Sequence, residues 1–212
     1  MNYMEFKNKV QNLPVIVSRD LVVSRGREQS LLNQLYRWQR KGLIIKLKKG
    51  MYLLNKNDRK VDPSRVFLAC QIYSPSYISL EYALSFYGLI PERVADITCV
   101  TTRKTMRFKN ELGNFIYQHI KPLAFRGFVA MKDDAGFTFF IAEAEKAVVD
   151  LFYLNLSSIN LGKPELFTEY FRFQNTEELK SERIIQLAAA FRNTKLTRLA
   201  NLFCEFIEEE KR

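Results

Sequence analysis

The stretch Ser24–Asn55, SRGREQSLLNQLYRWQRKGLIIKLKKGMYLLN, decides how the rest of the chain is organised. It reads as one helix, a glycine stop and a two-stranded hairpin with a basic tip. The helix is placed at about Glu28 to Lys41, because Gly42 supplies a residue that tolerates the left-handed conformation just past a helix end. At about 100° per residue, Leu31, Leu35 and Trp38 fall on one face, with Leu32 at its edge. Arg27, Ser30, Asn33, Gln34, Arg37 and Lys41 fall on the other face, which offers amide and guanidinium donors and no acid. Such groups read base edges in a major groove and hold the flanking phosphates.

After Gly42 the pattern changes. Leu43 to Leu47 and Met51 to Leu54 are short apolar runs around Lys48-Lys49-Gly50, which argues for a β-hairpin. Upstream, Tyr3, Phe6, Val10 and Leu13 keep a helical period that Pro14 ends. Val15 to Val17 is β-like, and Ser18 caps a brief helix through Val23, with Asp20 in its first turn. Ser24-Arg25-Gly26 is then the turn between two helices. Helix, short strand, short helix, turn, long helix and hairpin together predict a winged helix-turn-helix over residues 1–60. The expected DNA contacts are Arg25, Arg27, Ser30, Asn33, Gln34, Arg37 and Lys41, with Lys46, Lys48 and Lys49 on the wing. The plain alternative is an amphipathic helix beside a solvated hairpin.

Charge separates these readings. The chain has 212 residues and a net charge of +10. Residues 1–60 hold 14 Lys+Arg against 4 Asp+Glu, while residues 61–212 hold 19 of each, so the whole excess lies in the first part. A basic segment joined to a neutral one suggests a dedicated polyanion-binding module. DNA is favoured over a membrane surface, because no basic amphipathic helix with a strong apolar face flanks the module. The cysteines, Cys70, Cys99 and Cys204, lack metal-type spacing and read as core residues of a reducing cytosol. No apolar run is long enough to span a membrane, and the N-terminus has no hydrophobic signal region, so a cytoplasmic protein is expected.

Residues 61–212 read as a mixed α+β domain with a helical tail. Asn55 to Asp62 is a polar linker. Helices are expected at Pro63–Tyr73, Ser79–Tyr87 and Ala142–Leu154, with a loop at Ser74 to Ser76. Strands are expected at Asp96–Thr102, Phe115–Ile120, Gly127–Met131 and Phe137–Ile141. Glu165–Phe171, Thr176–Arg192 and Lys195–Glu209 complete the helical tail.

The segment order resembles the AbiEi family of antitoxins, from bacterial toxin–antitoxin and abortive-infection operons. The matching residues are GMY at Gly50–Tyr52, YISLEYALSFYGLIPE at Tyr77–Glu92, ITCVTTRK at Ile97–Lys104, FIYQHI at Phe115–Ile120 and IAEAEKAVVDLFYL at Ile141–Leu154. The resemblance covers about residues 15–155 well and the tail loosely. It implies a winged helix that binds repeats in the protein's own promoter and represses the operon. It also implies a C-terminal part that neutralises a nucleotidyltransferase-like toxin. A monomer in solution that pairs on DNA is the expected form. Family members usually carry Pro within the segment matching Ala144-Glu145-Lys146, where this chain has Ala144.

Four other groups invite functional readings. Arg103, Lys104, Arg107 and Lys109 form a second basic cluster that touches DNA or an acidic toxin, or is only an exposed charged loop. Glu143, Glu145, Lys146 and Asp150 offer paired carboxylates. Yet Lys146 and Asp150 are spaced i,i+4 and can pair on a helix surface, and no nucleophile matches them. His119 sits in an apolar strand-like run and reads as structural. Phe167, Tyr170, Phe171 and Phe173 are core at helical spacing or a partner surface. With no phosphate loop, metal motif or nucleophile elbow in the sequence, the expectation is no enzyme activity, no cofactor and no metal. The alternatives are a ligand-responsive winged-helix repressor without a toxin partner, betrayed by an apolar pocket with converging polar groups, and an enzyme, betrayed by a cleft of perturbed acids.

Overall fold

The computed structural model describes residues 2–21, 28–161 and 164–211. The architecture is α+β, with seven α-helices and two sheets among the described residues. No described helix is long and apolar enough to cross a membrane.

The first part contains α1 (Tyr3–Val10), β1 (Ile16–Val17), α2 (Glu28–Arg40), β2 (Ile44–Lys48) and β3 (Met51–Leu54). Asn2 and Glu5 close a reciprocal capping box at the start of α1. A 3-10 turn at Ser18–Leu21 stands where a brief helix is expected, and Val22 and Val23 lie outside the described residues. Gly42, at φ +67°, ends α2 as its sequence position predicts. The three strands form an antiparallel sheet in the order β1-β3-β2. On one face, Ile44, Tyr52 and Leu54 meet Phe6, Val10, Leu31, Leu35 and Trp38 in a small core. The Phe6 and Trp38 rings lie 4.6 Å apart. Each such buried side chain contributes about 1.5–3 kcal/mol, so α2 is held by its inner face alone and its outer face is left for other use.

The other face of this sheet is not open to solvent. Leu47 and Leu53 belong to the larger core of the chain, and Asn110 Nδ2 donates to the Leu47 carbonyl at 3.1 Å. Residues Asn55 to Asp62, expected to be a polar linker, instead fold back on α1. The Lys60 amide donates to Gln11 O at 2.8 Å, and Asp58 accepts from Lys7 Nζ at 2.5 Å and from the Tyr3 hydroxyl at 2.7 Å. Side-chain polarity suggests a loose tether here, but these groups find partners on the neighbouring helix.

The second part is built on α3 (Arg65–Ile72), β4 (Ser76–Ile78), α4 (Leu80–Phe86), β5 (Ile97–Thr101), β6 (Met106–Asn110), β7 (Gly113–His119), β8 (Phe128–Lys132), β9 (Thr138–Ala142) and α5 (Ala144–Asn155). Its six strands run in the order β6-β7-β5-β4-β9-β8. β5 pairs parallel with β7 and β4 with β9, and the other pairs are antiparallel. The four strands expected from the sequence are present. Two further strands occupy stretches read as loops: β4 begins at Ser76, and β6 takes in part of the basic cluster. α5 starts at Ala144, without the proline that the family resemblance implies.

The tail adds α6 (Ser181–Ala189) and α7 (Thr194–Glu210). α6 is shorter than expected. The segment Glu165–Phe171 is not an α-helix: it holds only the 3-10 turn Pro164–Leu166. Phe167, Phe171 and Phe173 are nevertheless buried around Phe152 and Phe203. Three of the four tail aromatics are therefore core, and only Tyr170 stays exposed.

Candidate nucleic-acid interface

The sheet and the small core aim α2 outward. Ser30, Asn33, Arg37 and Lys41 are exposed and Gln34 is half-buried, close to the face that the helical period predicts. The true outward face also takes in Gln29, Tyr36 and Arg40, all exposed. Counting from Leu31, Leu35 and Trp38 at the centre of the buried side would have found them, because these three positions lie opposite. Gln29 Nε2 donates to Asn33 Oδ1 at 3.1 Å. No acid occurs from Gln29 to Lys41, and among the described residues the side chains of Arg37, Arg40 and Lys41 make no ion pair. Arg25 and Arg27 lie outside the described residues.

The hairpin divides its three lysines. Lys46 and Lys49 are exposed. Lys46 shares a pleat side with Ile44 and so stands on the α2 side of the sheet. Between Lys46 and Lys48 the register slips by one residue, a β-bulge that bends the strand. Leu47, the extra residue of the bulge, packs into the larger core as Ile45 does before it, and Lys48 Nζ beyond it donates to the Ile72 carbonyl at 2.5 Å. Burial, then the charges of Arg103 and Arg19, hold the Lys48 ammonium below its ordinary value. Lys48 therefore ties the hairpin to the C-terminal end of α3, a role that the sequence expectation of three equivalent wing lysines does not contain.

The same neighbourhood accounts for the second basic cluster. β6 is an edge strand beside β2, with Arg107 and Lys109 exposed. Arg103 stacks 4.3 Å from the Tyr73 ring centroid and donates to Ser74 O at 3.1 Å. Arg107 lies 3.6 Å from Asp96. Charged side chains on a sheet edge discourage unwanted strand pairing, which gives this cluster a structural use. Its closeness to Lys48 also extends the cationic surface from the hairpin onto the larger sheet. His119 ends β7 exposed, with Nδ1 2.9 Å from the Arg103 carbonyl.

The carboxylates of α5 form no open acid pair. Lys146 and Asp150 are both fully buried and joined directly, so the i,i+4 spacing expected at a surface operates inside the protein. The Tyr77 and Ser79 hydroxyls donate to Asp150 Oδ2 at 2.8 and 2.9 Å. Lys146 Nζ also lies 4.5 Å from the Phe191 ring centroid. Gly127, at φ +76°, passes so close that a Cβ would come within 3.3 Å of Lys146 Cγ and 2.6 Å of Leu187. Burial disfavours both charges, drawing the ammonium below its usual range and pushing the carboxyl above its own. Glu143 is taken up by Arg183, whose Nε and Nη2 each donate at 2.7 Å. A substrate reaches none of the buried pair, which binds α5 to β4. No cluster of His, Cys, Asp and Glu among the described residues is arranged to hold a metal.

One groove of about 750 Å³ lies where the first sheet, the segment before α3 and the end of β8 meet. Leu53, Val66, Leu112, Met131 and Phe139 are among its apolar walls, and its charged lining is Arg59, Asp62, Arg65, Lys132, Asp133 and Asp134. The Arg59 side chain is only 10% exposed, and its Nε has no hydrogen-bond partner among the described residues.

No family model matches this sequence, and no curated protein matches it. The resemblance to AbiEi antitoxins thus rests on the segments quoted above.

Proposed function

We propose that this chain is a non-enzymatic, DNA-binding antitoxin. Its first 60 residues act as a winged helix, α2 entering the major groove and the β2–β3 hairpin lying along the backbone as the wing. It binds repeats in its own promoter and represses the operon, and the remainder neutralises a nucleotidyltransferase-like toxin, as the resemblance to AbiEi proteins implies. The observation that carries the DNA reading is the outward face of α2: amide and guanidinium groups without an acid, on a helix whose opposite face is wholly engaged. Lys46 and Lys49 serve as phosphate contacts, and the cluster from Arg103 to Lys109 widens the cationic surface beside them.

Gel shifts with the DNA upstream of the gene, at two salt concentrations, test this half. Binding that weakens steeply with salt and prefers that DNA over an unrelated duplex supports it; equal, weak binding to both overturns it. Co-expression with the neighbouring gene product tests the other half. Growth rescued by the full chain supports neutralisation, and a growth arrest that the chain leaves unchanged removes it.

The groove beneath Leu53 favours one second reading, a repressor released by a small ligand. Under that reading a low-molecular-weight cell extract lowers operator affinity, and Arg59→Lys blunts the effect. An unchanged gel shift with extract excludes it.

A further inference from the structure

We infer that α2 reads two thymine methyl groups through Leu32 and Tyr36, with Gln29 meeting one adenine of the same site. This rests on the DNA-binding reading and specifies what that face recognises. Leu32 and Tyr36 are 42% and 61% exposed, although both are large and apolar or aromatic. They belong to neither core. They stand one helical turn apart along one flank of the exposed side of α2, with Arg40 beside Tyr36 and Arg37 and Lys41 farther round the same exposed side, none of which has an ionic partner among the described residues. A duplex that covers this pair beside unneutralised cations would present methyl groups next to phosphates.

The major groove of A·T-containing DNA has this combination: a thymine 5-methyl group beside the adenine N7 and N6 edge, walled by phosphates. The spacing agrees. Four residues of helix rise about 6 Å, close to two base-pair steps of about 3.4 Å, so Leu32 and Tyr36 address thymines two steps apart. The amide pair completes the pattern. Asn33 Oδ1 already accepts one Nε2 hydrogen of Gln29. That leaves Gln29 with its Oε1 acceptor and its second N–H, the two groups that adenine N6 and N7 require. Asn33 is here a positioning residue for Gln29.

The test uses the full chain and does not depend on any variant folding. Duplexes are selected from a random pool by binding, and each thymine of the best duplex is replaced in turn by deoxyuridine, which removes the methyl and keeps the pairing. Two positions, two base pairs apart, are expected to lose about fourfold in affinity each, as one buried methyl is worth. Leu32→Ala should erase the loss at one position and Tyr36→Ala at the other. Sequence-selective, salt-sensitive binding that tolerates deoxyuridine everywhere would overturn this inference and leave the DNA reading standing. Failure to enrich any duplex would overturn both. Loss of toxin neutralisation by the two alanine variants, with deoxyuridine tolerated, would assign the pair to a protein partner and also overturn the inference.

Discussion

Lys49 and Lys146 are the same residue with opposite fates, and the regions around them explain why. Lys49 stands exposed on a hairpin in a segment with 14 basic and 4 acidic residues, where most cations have no acid to meet. Lys146 lies fully buried in a region with 19 of each, joined to Asp150 within its own helix. A charge left in water with no partner is available to an external polyanion. A charge enclosed with its counter-ion is committed to the fold, because separating the two in a dry interior is costly. What decides whether a lysine is a contact or a strut is the local supply of acids and apolar neighbours.

The most severe way to probe this contrast is Lys146→Met. It leaves Asp150 enclosed without its counter-ion, and a loss of about 3–5 kcal/mol is expected in denaturant unfolding. A loss below about 1 kcal/mol would show that the pair is not a strut. Next in size, if the proposed DNA reading holds, is Arg37→Ala, expected to reduce the preference for the selected duplex by about 1–3 kcal/mol in competition gel shifts, with stability unchanged. Neutralising Lys46 and Lys49 together to Gln should weaken binding to all duplexes alike and lower the salt slope by about two. By contrast, Lys48→Gln should cost stability and leave that slope nearly as it was, because its ammonium is held by Ile72.

The smallest expected effect belongs to Asp58. Hydrogen bonds from Lys7 and then Tyr3 hold its carboxyl below the ordinary carboxylate value, against a weaker opposing effect of burial. A folded-state value below the unfolded one gives stability that is fully present above about pH 4 and lost as pH falls through the folded value. Asp58→Asn should therefore cost about 1 kcal/mol at pH 7 and progressively less below pH 4. A penalty that stays constant down to pH 3, followed by thermal unfolding, would mean that the Lys7 ion pair contributes nothing.

Much of the scaffold is legible in the amino-acid sequence. The buried face of α2, the glycine that ends it, the hairpin and the strands β5, β7, β8 and β9 all follow from apolar period and glycine placement. What escaped did so for definite reasons. β4 has only three residues and follows a proline, so no alternation could emerge. β6 carries Arg107 and Lys109 on a sheet edge, where charge is tolerated and reads as loop. The bulge that turns Lys48 inward adds a single residue and leaves no mark in composition. Lys146 looked like half of a surface pair because lysine is seldom enclosed; only the placement of Tyr77, Ser79 and Phe191 around it reveals otherwise. Tyr36 stands opposite Leu31, Leu35 and Trp38, but an aromatic ring does not register when an outward face is sought by its polar and basic side chains.

Leu47 and Leu53 have a consequence for how the chain comes apart. They fasten the small front sheet to the main body, while Lys60 and Asp58 fasten the following segment to α1. Cutting at residue 60 would strip grease from both cut faces and strand partners on either side. The molecule should therefore melt in one calorimetric event, and halves expressed separately should clump where the intact protein does not.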